Sequence, residues 1–277
     1  MNALIISKEF ISSNIVKLVL SAPSIAEKAK PGQFVIVVPT EYSERIPLTI
    51  GDSDTAKGTI TIVAQIAGAT TKVLSNLKEG EVVSHILGPL GVPSHIENFG
   101  EVAIIAGGVG VPEIYPIAKA LKEKGNNVTT IIGARNKDLL IFEEELRLAS
   151  STLKVTTDDG SYGRKGFVSD ELADLMKEKK IDRVIAVGPI PMMKKIADVT
   201  REAKIPTFVS LNALMLDATG MCGICRVTVG GKTKFTCVEG PDFDGHLVDF
   251  DELSSRLRYY KDKEKEALDH VCRIFGE

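Results

Sequence analysis

The stretch Val102-Ala-Ile-Ile-Ala-Gly107-Gly108-Val109-Gly110-Val111-Pro112 decides how the middle of this chain folds. An apolar run ends directly in closely spaced glycines. Apolar residues then recur at i, i+3, i+4 and i+7, at Ile114, Ile117, Ala118 and Leu121. A strand, a glycine-rich turn and an amphipathic helix form the repeating unit of a parallel sheet. Glycines at this turn also let backbone N–H groups approach a phosphate at the helix N-terminus.

The same alternation continues through residues 101–210. Apolar strands are predicted at Val102–Ala106, Val128–Ile132, Lys154–Thr157, Arg183–Val187 and Thr207–Ser210. Strand–helix alternation predicts right-handed crossovers and a doubly wound parallel sheet, which binds ligands at the carboxyl ends of its strands. Gly133-Ala-Arg135 and Gly188-Pro189-Ile-Pro-Met192-Met193 follow two of these strands. Because the first motif is not G-x-G-x-x-G, a tight turn without a ligand is the alternative. Pro116 is expected in the first turns of its helix, where an N–H has no partner.

Residues 1–100 have the pattern of an antiparallel barrel. Short β-branched runs separated by Pro and Gly occur at Ala3–Ile6, Ile15–Leu20, Phe34–Val38, Ile46–Gly51, Thr59–Ala64 and Glu81–Leu87. One helix is predicted, at about Thr71–Leu77. Arg45 and the Gly/Thr-rich start of this helix are candidates for binding pyrophosphate, because guanidinium groups and helix N-termini favour anions. Taken alone, Arg45 would more often form a surface ion pair.

The cysteines are concentrated near the end of the chain. Asp217-Ala-Thr-Gly220-Met-Cys222-Gly-Ile-Cys225 is followed by Cys237, and Cys272 lies on a charged helix predicted over residues 249–272. This clustering argues against a disulfide framework. A [2Fe-2S] cluster needs four ligands, and Asp217 offers a carboxylate beside three cysteines. A zinc site with the same four residues is an alternative, and unliganded buried cysteines are a third. Cys272 is predicted to pack in the core.

Composition limits the classes of function. The chain has 277 residues, and 34 Lys and Arg against 37 Asp and Glu give a net charge of −3. Its length indicates about two domains, and its charge argues against nucleic-acid binding. The apolar runs are shorter than the roughly 20 residues of a membrane span, and the N-terminus has no basic leader. We therefore expect a cytoplasmic protein.

Together these motifs resemble the ferredoxin–NADP reductase superfamily. The cysteine loop after Gly-Pro-x-x-Met-Met is similar to that of the electron-transfer subunits of dihydroorotate dehydrogenase. It resembles more closely the small subunits of NADH-dependent reduced ferredoxin:NADP oxidoreductases, also called sulfide dehydrogenase small subunits. Subunits of the dihydroorotate type have a cysteine at the position of Asp217, whereas those of the second type have an aspartate.

The resemblance implies three domains and their cofactors. They are an FAD-binding β-barrel (residues 1–100), an NAD(P)-binding α/β domain (residues 101–210) and a [2Fe-2S] segment with a C-terminal helix (residues 211–277). By resemblance, the flavin contacts Arg45, Pro47, Leu48, Thr49, Ile62, Val63, Ala64, Gln65, Gly68, Thr70 and Thr71. The nicotinamide nucleotide contacts Gly107, Gly108, Val109, Gly110, Arg135, Gly188, Pro189 and Met192. The cluster ligands are Asp217, Cys222, Cys225 and Cys237.

The implied function is electron transfer within a heterodimer. NAD(H) exchanges a hydride at FAD, and the [2Fe-2S] cluster exchanges single electrons with a larger flavoprotein subunit that holds FAD and [4Fe-4S] clusters. Such a complex couples NADH and reduced ferredoxin to NADP by electron bifurcation. No protein acid or base is nominated, because flavin and nicotinamide supply the hydride chemistry.

Three alternatives are left open by the sequence. One is the dihydroorotate dehydrogenase electron-transfer subunit, whose partner holds FMN. Another, of a different class, is a non-catalytic binding module that carries zinc. The third concerns the nucleotide, because Arg135 stands where an NAD site usually has an acidic residue, and its charge favours NADP(H). The resemblance favours NAD(H), which we expect.

Overall fold

The computed structural model of the protein describes residues 1–275. Its N-terminal part consists of β1 (Ala3–Ser12), β2 (Ile15–Ser21), α1 (Pro23–Ala26), β3 (Phe34–Val38), β4 (Ile46–Asp54), β5 (Thr59–Gln65), α2 (Ala69–Asn76), β6 (Val82–Val83) and β7 (His85–Leu90). The strands form one antiparallel sheet in the order β6-β1-β2-β5-β4-β3-β7. Only Ser84 separates β6 from β7, so the two edges of the sheet meet and it curls into a nearly closed barrel.

The barrel confirms the predicted antiparallel fold, with one addition. Alternate residues of β2 and β5 point inward, and Leu18, Leu20, Ile60 and Ile62 are completely buried there. The prediction of a single helix in this part was wrong, because α1 forms one further turn. Pro23 begins that turn, at a position where its missing N–H costs nothing.

Two layers of helices enclose the second sheet. The middle of the chain contains β8 (Glu101–Gly107), α3 (Val111–Glu123), β9 (Asn127–Ala134), α4 (Glu143–Ala149), β10 (Thr152–Thr157), β11 (Arg164–Lys165), α5 (Val168–Glu178), β12 (Arg183–Val187), α6 (Ile190–Arg201) and β13 (Thr207–Ser210). The last part contains β14 (Arg226–Val229), β15 (Lys232–Phe235), α7 (Thr236–Glu239), β16 (Asp242–Asp244), α8 (Phe250–Leu257) and α9 (Lys261–Phe275).

The second sheet has the order β11-β10-β9-β8-β12-β13-β16. All neighbours are parallel except β16, which pairs antiparallel with β13. The chain runs from β8 to one side and then returns to place β12 on the other, so the strand order reverses between these two strands. The predicted doubly wound sheet is confirmed, and the reversal opens a crevice at the carboxyl ends of β8 and β12.

Three details differ from the predictions. Pro116 is the sixth residue of α3 and therefore lies beyond the first turn, whose N–H groups have no partner. Because proline has no N–H, the helix lacks one of its backbone hydrogen bonds at this position. The charged helix over residues 249–272 is broken by a turn at residues 258–260 into α8 and α9. Cys272 is only half-buried, so its assignment to the core was wrong. Among residues 1–275, no helix has the length and apolar character needed to span a membrane.

Apolar contacts join the barrel to the second sheet. Ile15 of the barrel is buried in the same cluster as Ile104 and Ile114, and Val63 packs against that cluster. Phe34 belongs to a second cluster that also contains Cys225 and Cys237. These shared clusters position the barrel, the sheet and the cysteine loop around one cleft.

Candidate functional site: a cleft beside the cysteine loop

A cleft of about 1000 Å³ lies where the barrel, the parallel sheet and the cysteine segment meet. This volume is at the upper end of the usual range for small-molecule sites, as a dinucleotide requires. The cleft brings together many of the predicted cofactor-binding residues: Pro47, Thr49, Gln65, Gly107, Gly108, Val109, Gly110, Arg135, Gly188, Pro189 and Met192.

Close approach of two strand ends explains the glycines at the floor of the cleft. A Cβ atom at Gly110 would lie 2.6 Å from the carbonyl oxygen of Val187. A Cβ atom at Gly188, which follows β12, would lie 3.1 Å from the carbonyl oxygen of Gly107 at the end of β8. Larger residues would therefore push β8 and β12 apart and close the crevice at the reversal of strand order. The glycines serve this approach and also leave backbone N–H groups accessible at the start of α3.

The other predicted flavin-binding residues lie outside the cleft lining. Arg45 is exposed one residue before β4. Ile62 and Ala64 point into the barrel core, because alternate residues of a strand face opposite sides, so only their backbone is available to a flavin. Leu48 packs against the same core, and Val63 packs on the α/β side.

The start of α2 is held by its own side chains. The Thr71 hydroxyl donates to the Gly68 carbonyl at 2.9 Å and accepts from the Gly68 N–H at 3.0 Å. Thr70 is buried. The predicted anion site at Gly68, Thr70 and Thr71 therefore rests on backbone groups, since the Thr71 hydroxyl is already engaged.

Sequence reasoning missed an acidic residue in the cleft. Glu113 lies in the first turn of α3, and the Ser210 hydroxyl donates to its Oε1 at 2.5 Å. Thr49 lines the same cleft. Burial, followed by the nearby charge of Asp242, raises the pKa of Glu113 to about 7. The available signal was an acidic residue three positions after Gly110, at the point where the glycine turn predicts a ligand.

The nucleotide end of the cleft has charged groups of both signs. Arg135 directly follows β9, and Lys195 lies on α6. Asp158 and Asp170 line the same cleft. Acidic partners for a ribose hydroxyl are thus present in the same cleft as Arg135, although neither directly follows β9, where an NAD site usually has its acidic residue.

The cysteine loop forms two pairs of potential ligands. Cys225 and Cys237 are buried with their Sγ atoms 3.2 Å apart. Cys222 is exposed, and its backbone N–H donates to Asp217 Oδ2 at 2.9 Å. Asp217 Oδ1 accepts from the Thr219 N–H at 3.0 Å. Asp217 therefore caps its turn in this structure.

This arrangement fits a two-iron cluster better than a single zinc ion. Each iron of a [2Fe-2S] cluster takes two protein ligands, which matches one pair at Cys225 and Cys237 and another at Asp217 and Cys222. A zinc ion would need four ligands converging on one point. Within residues 1–275, no group of three or more Cys, His, Asp or Glu side chains converges in that way. Burial and the adjacent Cys225 sulfur raise the pKa of Cys237, so a bound metal is what would make Cys237 a thiolate.

Comparison with known proteins identifies the family. The dihydroorotate dehydrogenase B (NAD(+)) electron transfer subunit homolog of Thermotoga maritima is 48% identical, over 99% of this chain and 96% of its own length. The chain belongs to the family of dihydroorotate dehydrogenase B electron-transfer subunits and their homologues. Two further matches agree: the iron-sulfur cluster binding domain of dihydroorotate dehydrogenase B covers residues 212–249, and the oxidoreductase NAD-binding domain covers residues 104–198.

Within this family, relatives of both types named from the motifs match the chain. A chain from a solved structure of an NADH-dependent reduced ferredoxin-NADP oxidoreductase, studied for flavin-based electron bifurcation, superposes with a TM-score of 0.93. It is 46% identical, over 97% of both chains. The dihydroorotate dehydrogenase B electron transfer subunit of Fusobacterium nucleatum is 31% identical, over 83% of this chain and 91% of its own length. The resemblance predicted from the motifs is confirmed.

Proposed function

We propose that this chain is the electron-transfer subunit of an NADH-dependent reduced ferredoxin:NADP oxidoreductase. The observation that carries the proposal is the single cleft shared by the barrel, the reversal point of the parallel sheet and the segment leading into the cysteine loop. Met215 lines the cleft two residues before Asp217, and Pro241 lines it four residues after Cys237. Cofactors in the cleft and in the loop would therefore lie side by side, as electron transfer requires.

Two cofactors fit the cleft. FAD, when bound, accepts a hydride and returns electrons singly. The barrel side, with Pro47, Thr49 and Gln65, would hold the flavin, and exposed Arg45 is available to reach its pyrophosphate. Backbone groups at Gly107–Gly110 and Gly188–Met192 would hold NAD(H). Residues 1–100, 101–210 and 211–277 would act as the flavin, nucleotide and cluster domains.

The cysteine loop would hold the [2Fe-2S] cluster through Asp217, Cys222, Cys225 and Cys237. The two pairs support this assignment, because each pair would provide the two protein ligands of one iron. The carboxylate of Asp217 retains free lone pairs while it caps the turn, so capping and ligation are compatible. NAD(H) is proposed over NADP(H), because acidic Asp158 and Asp170 accompany Arg135 in the cleft.

An exposed apolar patch supports docking of a larger flavoprotein subunit at the cluster. Leu216, Met221 and Val238 are each adjacent in sequence to a proposed ligand, and Met221 is 87% exposed. Apolar side chains around a redox centre are typical of a surface that a partner covers. We propose that this partner carries FAD and [4Fe-4S] clusters and that the pair bifurcates electrons. The expected cytoplasmic location stays a prediction.

Purification of the native complex tests the proposal. A large co-eluting chain with flavin and [4Fe-4S] iron is the expected result. A partner of about the same size that holds FMN would instead favour the dihydroorotate type. Visible absorption of the isolated chain tests the class, because flavin and [2Fe-2S] are coloured and zinc is not. A colourless protein with stoichiometric zinc would overturn the proposal.

A further inference from the structure

A row of polar side chains leads from the cleft to a second, smaller cavity. Glu113 lines the cleft, and the Ser210 hydroxyl donates to it at 2.5 Å. Ser210 and Asp242 are directly opposite each other on β13 and β16, so their side chains lie on the same face of the sheet. The Ser94 hydroxyl donates to Asp242 Oδ2 at 2.6 Å. Four different parts of the chain thus contribute to one row.

The row ends near solvent. Ser94 and Asp242 line a cavity of about 150 Å³ together with His95 and Arg183. The His95 side chain is 58% exposed and pairs with Glu97 at the surface. A cavity of this volume holds a few water molecules. The row therefore connects the interior of the cleft with a water-accessible side of the molecule.

The hydrogen-bonding capacity of the row is only partly used. Asp242 Oδ1 is buried and has no hydrogen-bond partner among the described residues. The Ser210 hydroxyl has one hydrogen, which it gives to Glu113, and it retains lone pairs that can accept another. A rotation of this hydroxyl would deliver its hydrogen to Asp242. A hydroxyl between two carboxyl groups that can both hold a proton is the arrangement that proton transfer requires.

Electrostatics keep a proton available in the row. Two buried carboxyl groups so close together do not both ionise readily, and burial raises the pKa of Asp242 as well as that of Glu113. The other charged groups of the cleft are Arg135, Asp158, Asp170 and Lys195. The elements packed against α3 contribute Asp52, Asp54, Glu101, Glu143, Glu144, Glu145, Arg147 and Arg183. Of all these charges, Asp242 is the one that shifts the pKa of Glu113.

The proposed function creates a need for such a row. A hydride is one proton and two electrons, whereas an iron–sulfur cluster carries electrons alone. For every hydride that enters the cleft and leaves as two electrons, one proton must therefore leave by another route, and one must return when the direction reverses.

We propose that Glu113, Ser210, Asp242 and Ser94 form the proton path between the flavin edge and solvent. The inference rests on the proposed function, which places the flavin beside Thr49, in the cleft that Glu113 also lines. In the outward direction, the Glu113 carboxylate accepts the proton. Ser210 takes it from Glu113 and passes its own hydrogen to Asp242, and Asp242 releases a proton into the cavity beside Ser94. The two electrons leave through the cluster, so charge and atoms balance.

Rapid mixing of the cofactor-loaded protein separates the hydride step from the proton step. The first measurement is flavin bleaching by NADH. The second mixes the reduced protein with excess ferricyanide, a one-electron acceptor, and follows proton release with an indicator dye in weak buffer. The decisive variant is Asp242→Asn, because Asp242 lies outside the lining of the main cleft and asparagine still accepts from Ser94. Glu113→Gln and Ser210→Ala test the inner part of the row.

In Asp242→Asn, which lies outside the cleft lining, we expect bleaching by NADH within about twofold of the wild type, whereas Glu113→Gln and Ser210→Ala, which lie in the cleft, are judged by proton release relative to their own bleaching rates. Proton release should slow by about 100-fold, the lower end of the range for positioned proton-transfer groups. In the wild type, the rate of proton release should rise with pH near 7, where Glu113 becomes a carboxylate that can accept the proton. This rise should disappear in Glu113→Gln. The matched controls are Glu101→Gln, at the amino end of β8, and Ser75→Ala, whose hydroxyl donates within its own helix at 2.8 Å. Both controls should leave both steps unchanged.

Failure of the proton path and failure of the proposed function give different results. Wild-type release rates in Asp242→Asn and Glu113→Gln, with flavin content intact, would overturn the proton path alone. A wild-type protein that binds no flavin, or is not bleached by NADH, would overturn the proposed function and the path with it.

Discussion

Replacing Glu113 by glutamine should stabilise the protein above neutral pH and leave it nearly unchanged near pH 4. The pKa of Glu113 is raised from 4.5 to about 7, chiefly by burial. Below about pH 4.5 the carboxyl group is neutral in both the folded and the unfolded chain. Between the two pKa values it ionises only when the chain unfolds, so the free energy of unfolding falls as pH rises. Above about pH 7 the full cost of a buried charge is present.

The size of the effect follows from the shift in pKa. At roughly 1.4 kcal/mol per pKa unit, a rise from 4.5 to about 7 corresponds to about 3 kcal/mol at alkaline pH. About half of this should have accumulated near pH 5.7. Glutamine has nearly the same shape, accepts the hydrogen bond from Ser210 and carries no charge, so the variant avoids the cost.

Thermal unfolding of the cofactor-loaded protein, followed by calorimetry from about pH 4.5 to 8.5, measures the difference. Glu101→Gln is the control with opposite sign, because a hydrogen bond from Lys179 lowers the pKa of Glu101. Its contribution to stability is present above pH 4.5, so Glu101→Gln should lower the unfolding midpoint there. A Glu113→Gln midpoint equal to or below that of the wild type at about pH 8 would refute the reasoning.

Three further predictions concern the cofactors. Arg45→Ala should lose FAD on gel filtration with the fold intact, since hydrogen bonds to charged groups contribute about 1.5–3 kcal/mol. Full flavin occupancy in this variant would refute the assignment of Arg45 to the FAD pyrophosphate. The isolated protein should be bleached faster by NADH than by NADPH at equal concentration, and a preference for NADPH of about tenfold or more would show that Arg135 decides the choice. Asp217→Ala should lose or destabilise the cluster and Asp217→Cys should retain a [2Fe-2S] centre with altered spectra. Asp217→Asn keeps an acceptor for the Thr219 N–H and so separates iron ligation from turn capping. Unchanged iron content and EPR in Asp217→Ala would refute iron ligation by Asp217.

Local patterns in the sequence were sufficient for the architecture and for the cysteine loop. The glycines after Ala106 predict a strand–turn–helix unit, because a turn at a phosphate site and a close approach of two strands both require them. The spacing from Asp217 to Cys237 brings potential ligands into one loop within about 20 residues. These features depend on neighbours along the chain, so periodicity and spacing carry the information.

Contacts between distant residues were decided by the tertiary structure alone. Glu113 and Ser210 are 97 positions apart, and Ser94 and Asp242 are 148 apart, so no local pattern links them. They meet because β16 adds to the edge of the parallel sheet beside β13, a pairing that the cysteine-rich segment did not predict. The faces of Ile62 and Ala64 were likewise set by closure of the barrel. The sequence by itself therefore determined the elements and the ligand types, whereas packing determined which buried polar groups share one environment, because burial and charge act through space and not along the chain.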